Sequence, residues 1–150
     1  KKQFEKIELD IETKYKNIKA VNQINNGEIP GKSTRTTRRG RGTGTRVISN
    51  SKYPDAAAKD FAEKLIGREL TIEDRIRGQK ITTDIGNGKK GPCLKCWMIK
   101  TNDGKVINFR PAGTASSKTE NTTATVDIMH FDQINRGKKT EFKFLWNGEK

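Results

Sequence analysis

The hydrophobic pattern of the chain changes near Gly78, and this change limits the fold more than any other feature of the sequence. Before Gly78, apolar residues recur three or four positions apart, which is the period of an α-helix that buries one face. After Gly78, short alternating segments are separated by turn signals rich in Gly and Asn, as in a β-meander. The sequence therefore predicts an α+β fold, with N-terminal helices packed on a four- to five-stranded antiparallel sheet.

Two amphipathic helices and a shorter third one are expected in the first half. The first covers residues 1 to about 25, and its apolar positions are Phe4, Ile7, Ile11, Tyr15, Ile18 and Val21. Asp55 is placed to cap a second helix over 56–66, which Gly67 ends. A short helix is expected around 71–76. The predicted strands are 80–85, 94–100, 105–110, 123–131 and 140–146.

A basic segment without acidic residues follows the first helix. It runs from Ile29 to Pro54, lacks hydrophobic periodicity and contains seven Lys or Arg residues amid Ser, Thr and Gly. We expect a flexible loop that a phosphate backbone would order, with a solvated linker as the alternative. The chain then divides into an N-terminal amphipathic helix (1–28), a basic flexible loop (29–54) and an α+β core (55–150).

The net charge favours a polyanionic partner. Lys and Arg number 31 against 18 Asp and Glu, a net charge of +13, which points to nucleic acid. No apolar run approaches the roughly 20 residues of a spanning helix, so membrane insertion is not expected. The start at Lys1 suggests the C-terminal piece of a longer protein. The residues predicted to contact the nucleic acid are Lys32, Arg35, Arg38, Arg39, Arg41, Arg46 and, in a later hydroxyl-rich loop, Lys118.

Cys93 and Cys96 form a single CxxC pair in a segment that resembles a loop leading into a strand. One such pair supplies two of the four ligands of a zinc site. We interpret the two residues as structural thiols, with a metal site and a redox-labile disulfide as the alternatives.

Candidate chemistry lies on two of the predicted strands. Alternation places Asn108 and Arg110 on the outer face of one strand, and Thr125 and Asp127 on the outer face of the next. If the strands pair, these side chains become neighbours. Metal-free RNA cleavage needs a base, an acid and cations. His130 is the single imidazole of the chain. Strand alternation places it on the inner face, whereas its position at the end of the strand favours the edge of the site. A catalytic and a structural role therefore both remain open.

The residues Val106-Ile107-Asn108-Phe109-Arg110-Pro111, a Ser-rich loop and Thr125-Val126-Asp127-Ile128 carry a resemblance. They resemble the C-terminal signature of bacterial polymorphic toxins of the contact-dependent inhibition type, in which a strand ending in aromatic-Arg-Pro precedes a Val-Asp-Ile strand. The resemblance covers roughly 25 residues. It implies the barnase, EndoU, colicin and RelE group of ribonucleases, which cleave RNA, often tRNA, without a metal or other cofactor.

By this resemblance Arg110 clamps the scissile phosphate and Asp127 lies in the same site. It also implies an antibacterial domain of a larger secreted or surface-displayed protein, which acts in the cytoplasm of a target cell. The implied partners are RNA, a small acidic immunity protein and, in some relatives, a host factor such as an elongation factor.

Two other functions fit the sequence. A metal-dependent nuclease of the PD-(D/E)xK type would use Asp127 with Glu141-Phe142-Lys143, two carboxylates for Mg²⁺ and a lysine for the attacking water. A non-catalytic nucleic-acid-binding module would use the basic loop, with Trp97, Phe142 and Trp146 either stacked on bases or in the core.

Overall fold

The structure, a computed structural model, describes residues 9–33, 45–86, 89–112, 122–131, 134 and 139–147. These parts of the chain form three helices and eight strands, which confirms the α+β class. The helices are α1 (Ile11–Asn25), α2 (Pro54–Ile66) and α3 (Ile72–Gly78). The strands are β1 (Lys32–Ser33), β2 (Thr45–Ser51), β3 (Thr82–Gly86), β4 (Lys89–Pro92), β5 (Trp97–Lys100), β6 (Val106–Arg110), β7 (Ala124–Met129) and β8 (Lys139–Trp146).

The main sheet has the order β1-β2-β8-β7-β6-β5, and β3 pairs with β4 in a separate hairpin. All pairs in the main sheet are antiparallel except β2 with β8, which are parallel. The prediction of a flexible loop over 29–54 was wrong for residues 45–51, and the prediction of a wholly antiparallel sheet was wrong at the same strand. β2 was missed because its polar residues do not alternate with apolar ones and its partner β8 is distant in sequence.

The core lies between the sheet and the two longer helices. α2 packs on β8, β7 and β6, and α1 packs on α2 and β2. Phe61 of α2 is fully buried, and its ring centroid lies 5.4 Å from those of both Phe142 and Phe144 on β8. Burial of one such side chain contributes roughly 1.5–3 kcal/mol to folding. These contacts assign Phe142 to the core, one of the two roles considered for it.

α1 buries a different face from the one its apolar residues predict. Ile11, Tyr15 and Ile18 are exposed, whereas Thr13, Asn17, Ala20, Val21 and Ile24 are buried. The reason is a polar contact with α2, because Asn17 Nδ2 donates to the Ala57 carbonyl at 3.0 Å and to Asp60 Oδ2 at 2.9 Å. Asp10 caps the helix, accepting from the Thr13 N–H. Phe4 and Ile7 lie outside the described residues.

α2 starts two residues earlier than predicted and has no side-chain cap. Its N-cap is Tyr53 and Pro54 occupies the first turn, so the prediction that Asp55 caps the helix was wrong. Asp55 Oδ1 instead accepts the Ala112 N–H at 2.7 Å. Gly67 ends the helix in a left-handed conformation with φ 77°, as predicted.

The predicted short third helix is α3, and it is held by a buried carboxylate. Asp74 and Thr71 form a capping box, and Arg68 and Arg77 both pair with Asp74, at 2.8 Å and 3.0 Å. Burial raises the pKa of Asp74, but hydrogen bonds from Arg68, the Thr71 backbone and Arg77 bring it down to about 2. The carboxylate therefore stays charged at all ordinary pH values.

The two cysteines form a buried disulfide, Cys93–Cys96, at the turn that leads into β5. The interpretation of the pair as structural thiols was therefore wrong, and of its two alternatives the disulfide is the one found. α3 packs tightly against this turn: a Cβ on Gly78 would lie 2.1 Å from the carbonyl oxygen of Cys96. Only glycine allows this approach. Within the described ranges, no helix combines the length and the apolar character needed to cross a membrane.

Candidate active site

Two rows of polar side chains cross the face of the sheet that is turned away from α1 and α2. They are formed by residues that alternate with the core positions along β6, β7 and β8. Each row joins residues that are paired across neighbouring strands. The rows, in the order β6, β7, β8, are Asn108–Asp127–Glu141 and Arg110–Thr125–Lys143. The register thus confirms that the four outer-face residues predicted on β6 and β7 are neighbours, and β8 adds two more.

Asp127 is the buried centre of the first row. Its side chain is 1% exposed, and its Oδ1 accepts from Asn108 Nδ2 at 3.0 Å. Its Oδ2 lies 3.3 Å from Arg110 Nε, which is close enough for an ion pair. The two atoms are not aligned for a hydrogen bond, and neither has another hydrogen-bond partner. Burial raises the pKa of Asp127, against the opposing charges of Arg110 and Lys139 and the Asn108 hydrogen bond. A carboxylate this buried can position Arg110 but cannot reach a substrate.

The second row places two cations on either side of a hydroxyl. Arg110 on β6 has a side chain that is 21% exposed, although its Nε atom is buried. Lys143 on β8 donates to Thr125 Oγ1 at 3.1 Å and lies 3.5 Å from Glu141. Neighbouring strands are about 4.8 Å apart, so the Cα atoms of Arg110 and Lys143 are roughly 10 Å apart across β7. A phosphate over Thr125 would contact both side chains.

Glu141 is the more accessible of the two carboxylates. Its side chain is 30% exposed and forms ion pairs with Lys139 at 3.6 Å and Lys143 at 3.5 Å. The ribonuclease hypothesis did not include Glu141 or Lys143, which the sequence analysis named only for a metal nuclease. The alternation of β8, read against its pairing with β7, is the signal that would have found them, since Glu141 lies directly opposite Asp127.

His130 lies at the opposite end of β7 from Arg110 and Thr125. The strand ends at Met129, and His130 is exposed with φ 65°, a left-handed conformation that is unusual outside glycine. It comes five positions after Thr125, which is roughly 16 Å along a strand. No hydrogen bond or ion pair joins it to Asp127 or Arg110 in the described structure. The fold therefore does not bring it together with the other three predicted catalytic residues.

The predicted RNA-binding residues are described only in part. Arg46 on β2 donates to the backbone carbonyls of Ile29, Pro30 and Gly31 at 2.9–3.1 Å, which fixes this segment to the sheet edge. Lys32 on β1 is exposed. Outside the described residues lie Arg35, Arg38, Arg39, Arg41 and Lys118.

Comparison with protein-family models, with curated proteins and with solved structures finds no match to this chain. Across the described residues, no group of three or more His, Cys, Asp or Glu side chains is arranged to hold a metal ion. The chemistry of the two polar rows is the basis on which a function can be argued.

Proposed function

We propose that the chain is a ribonuclease domain that cleaves RNA by metal-independent transesterification on the face formed by the two polar rows. One observation carries the proposal: Arg110 and Lys143 flank the Thr125 hydroxyl in one row, beside the partly exposed Glu141 of the other. Cations can stabilise the negative charge that develops around a pentacovalent phosphorus. A carboxylate can act as a general base and accept the proton of the attacking hydroxyl.

In this mechanism Glu141 accepts the proton of the ribose 2′-hydroxyl, and the 2′-oxygen attacks the adjacent phosphorus. The bond from phosphorus to the 5′-oxygen breaks, and solvent protonates the departing oxygen. The products are a 2′,3′-cyclic phosphate and a 5′-hydroxyl. Arg110 and Lys143 stabilise the charge that grows on the phosphoryl oxygens, and the buried Thr125 hydroxyl positions Lys143 by accepting from its ammonium group.

Asp127 acts in this account through Arg110. Its buried carboxylate holds the guanidinium at the end of β6, and Asn108 fixes the carboxylate. His130 lies too far along β7 to be the base or the acid, so its sequence-based assignment as a catalytic residue is replaced by Glu141.

The biological role that we propose rests on the resemblance carried by residues 106–111 and 125–128. It is that of an antibacterial toxin domain, part of a larger secreted or surface-displayed protein, that cleaves tRNA or another structured RNA in a target cell. The net charge of +13 suits both RNA and an acidic immunity protein as partners. A host elongation factor is a further proposed partner.

A metal-dependent nuclease is the second candidate, because one observation favours it. Asp127 is directly opposite Glu141, and Lys143 lies on the same face, which is the arrangement that a PD-(D/E)xK site needs. Against it stand two cations beside the carboxylates that such a site does not use: Arg110 next to Asp127, and Lys139 next to Glu141. These positive charges repel Mg²⁺.

The test compares cutting of total tRNA and plasmid DNA by the purified chain, with and without EDTA. We expect tRNA to be cut equally in both conditions. Cutting of DNA that EDTA and Glu141→Gln both abolish would replace our proposal by the metal nuclease. Salt-sensitive binding with no cutting of either would leave a non-catalytic module.

A further inference from the structure

A cavity of about 340 Å³ lies where β2 and β8 end and α2 begins. It is near the lower limit of ligand pockets, which are roughly 300–1,000 Å³, and suits one ring system rather than a folded segment of RNA. None of its lining residues belongs to the two polar rows. The residues that matter are Lys52, Tyr53, Asp55, Ala112, Thr122 and Trp146.

This cavity is at the same end of the sheet as Arg110. Ala112 follows Arg110 by two residues, and Thr122 precedes Thr125 by three. Two residues of extended chain span roughly 7 Å, which is close to the distance between successive nucleotides in an extended strand. Because α2 packs on the other side of the sheet from the two polar rows, a strand of RNA whose phosphate lies at Arg110 has to pass around the end of β6 to place a neighbouring base in the cavity.

Two large aromatic side chains line the cavity, and each is nearly half exposed. Tyr53 is 45% exposed and Trp146 is 49% exposed. Elsewhere the chain uses its aromatic residues sparingly, and Phe61, Phe142 and Phe144 are all fully buried. Exposed aromatic rings beside a cavity are the surfaces on which nucleic-acid bases stack.

Polar groups in the cavity wall can orient such a base. Asp55 Oδ1 accepts the Ala112 N–H, which fixes the carboxylate, and because Asp55 is exposed and lines the cavity, its second carboxylate oxygen can meet a ligand. This oxygen can accept from an amino group on the edge of a base. Lys52 is exposed at the rim, where it can contact a phosphate.

We infer that the cavity is a nucleobase-binding subsite, in which a base stacks on Tyr53 and Trp146 and an exocyclic amino group donates to Asp55. The inference deepens the proposed function, since it names the part of the RNA that lies next to the cut phosphate. It assigns Asp55 as a specificity residue that favours amino-bearing bases over uracil.

The test is an NMR titration of the two indole N–H signals, those of Trp97 and Trp146, with GMP, CMP, UMP and ribose 5-phosphate. We expect the nucleotides to shift the Trp146 signal and leave that of Trp97, which packs under Arg75, in place. Ribose 5-phosphate, which has no base, should shift neither. Equal shifts from ribose 5-phosphate and GMP, or no shift of Trp146 with any nucleotide, would overturn the inference.

Variants of the wall give the second measurement. Tyr53→Leu should weaken GMP binding by roughly 5- to 150-fold, the effect of losing one stacking ring. Tyr15→Leu is the matched control, because Tyr15 is another exposed tyrosine, 59% exposed, on the outer face of α1. Unchanged affinity in Tyr53→Leu, with the Trp97 signal showing an intact fold, would contradict the inference.

The role of Asp55 is tested by the preference between CMP and UMP. Wild-type protein should bind CMP more tightly, and Asp55→Asn, which keeps an acceptor for Ala112, should lose that preference. Equal binding of CMP and UMP by the wild type would remove Asp55 from the subsite. These readouts measure binding alone, so failure of the cavity leaves RNA cleavage standing, and the absence of cleavage leaves base binding standing.

Discussion

Arg110 Nε lies 3.3 Å from Asp127 Oδ2, and neither atom has a hydrogen-bond partner. A charged donor and acceptor that are close but poorly aligned are held by the surrounding sheet, because the register of β6 and β7 fixes both side chains. An unfavourable arrangement of this kind lowers the stability of the fold, and it is common where side chains are arranged for function.

Asp127→Asn should therefore stabilise the fold near neutral pH. Burial raises the pKa of Asp127, so the folded chain binds this proton more tightly than the unfolded chain does. The carboxyl group's contribution is fully present below its unfolded pKa and is lost as pH rises through its folded pKa. Thermal unfolding from pH 3 to pH 8 should show the variant gaining melting temperature relative to the wild type as pH increases.

The same variant should cut RNA up to about 100-fold more slowly, because Arg110 loses the charge that positions it. A variant that becomes less stable than the wild type as pH rises would show that the Arg110 charge outweighs burial. Unchanged cleavage would remove Asp127 from the site.

Arg110→Ala should lower the cleavage rate by about 10²–10³-fold, the effect of removing one group that stabilises transition-state charge. Arg110→Lys keeps the charge but loses the planar fork, so it should restore only part of the activity. Single-turnover cleavage of a defined RNA measures both. Lys59→Ala, an exposed cation on α2, is the control and should cut at the wild-type rate.

Glu141→Gln should lower the rate by about 10²–10⁴-fold, because it removes the general base while keeping the shape of the side chain. Glu12→Gln is a matched control: Glu12 also pairs with a lysine at 3.6 Å, but on α1. His130→Ala should retain most of the activity. The opposite order, with His130→Ala inactive and Glu141→Gln active, would return the catalytic role to the histidine.

Asp74→Asn should destabilise the fold by about 1–2 kcal/mol at pH 7. The pKa of Asp74 is about 2, so its contribution is present above its unfolded pKa and is lost as pH falls through 2. The difference in melting temperature should shrink toward pH 2. Asp103→Asn should have a smaller effect, because the side chain of Asp103 is mostly exposed and solvent screens its pair with Lys105.

The strands that carry the candidate site were predictable because their signal is local. Alternation within β6 and β7 fixes which side chains face outward, and a turn before Lys105 sets where the first of these strands begins. The register between β7 and β8 is not set by any pattern within the two strands themselves. For that reason the sequence placed Glu141 and Lys143 with Asp127 only in a metal-nuclease hypothesis and did not place them beside Arg110 and Thr125.

The features that are set by contacts between residues distant in the sequence were not predictable. In α1 the apolar positions pointed to one face, but the bond from Asn17 to Ala57 selected another. Asp55 fits a helix cap by its position, yet its carboxylate accepts from Ala112, 57 residues away. β2 pairs in parallel with β8, which no local pattern marks.

The chemical form of the cut ends distinguishes metal-independent transesterification from metal-dependent hydrolysis. A short RNA is incubated with the chain in EDTA, and the fragments are analysed by mass spectrometry, with a 2′-deoxy copy as the uncut control. We predict 2′,3′-cyclic phosphate and 5′-hydroxyl ends from the wild type, and intact RNA with Arg110→Ala. Fragments that carry 5′-phosphate ends, or that form only when Mg²⁺ is present, would contradict metal-independent transesterification.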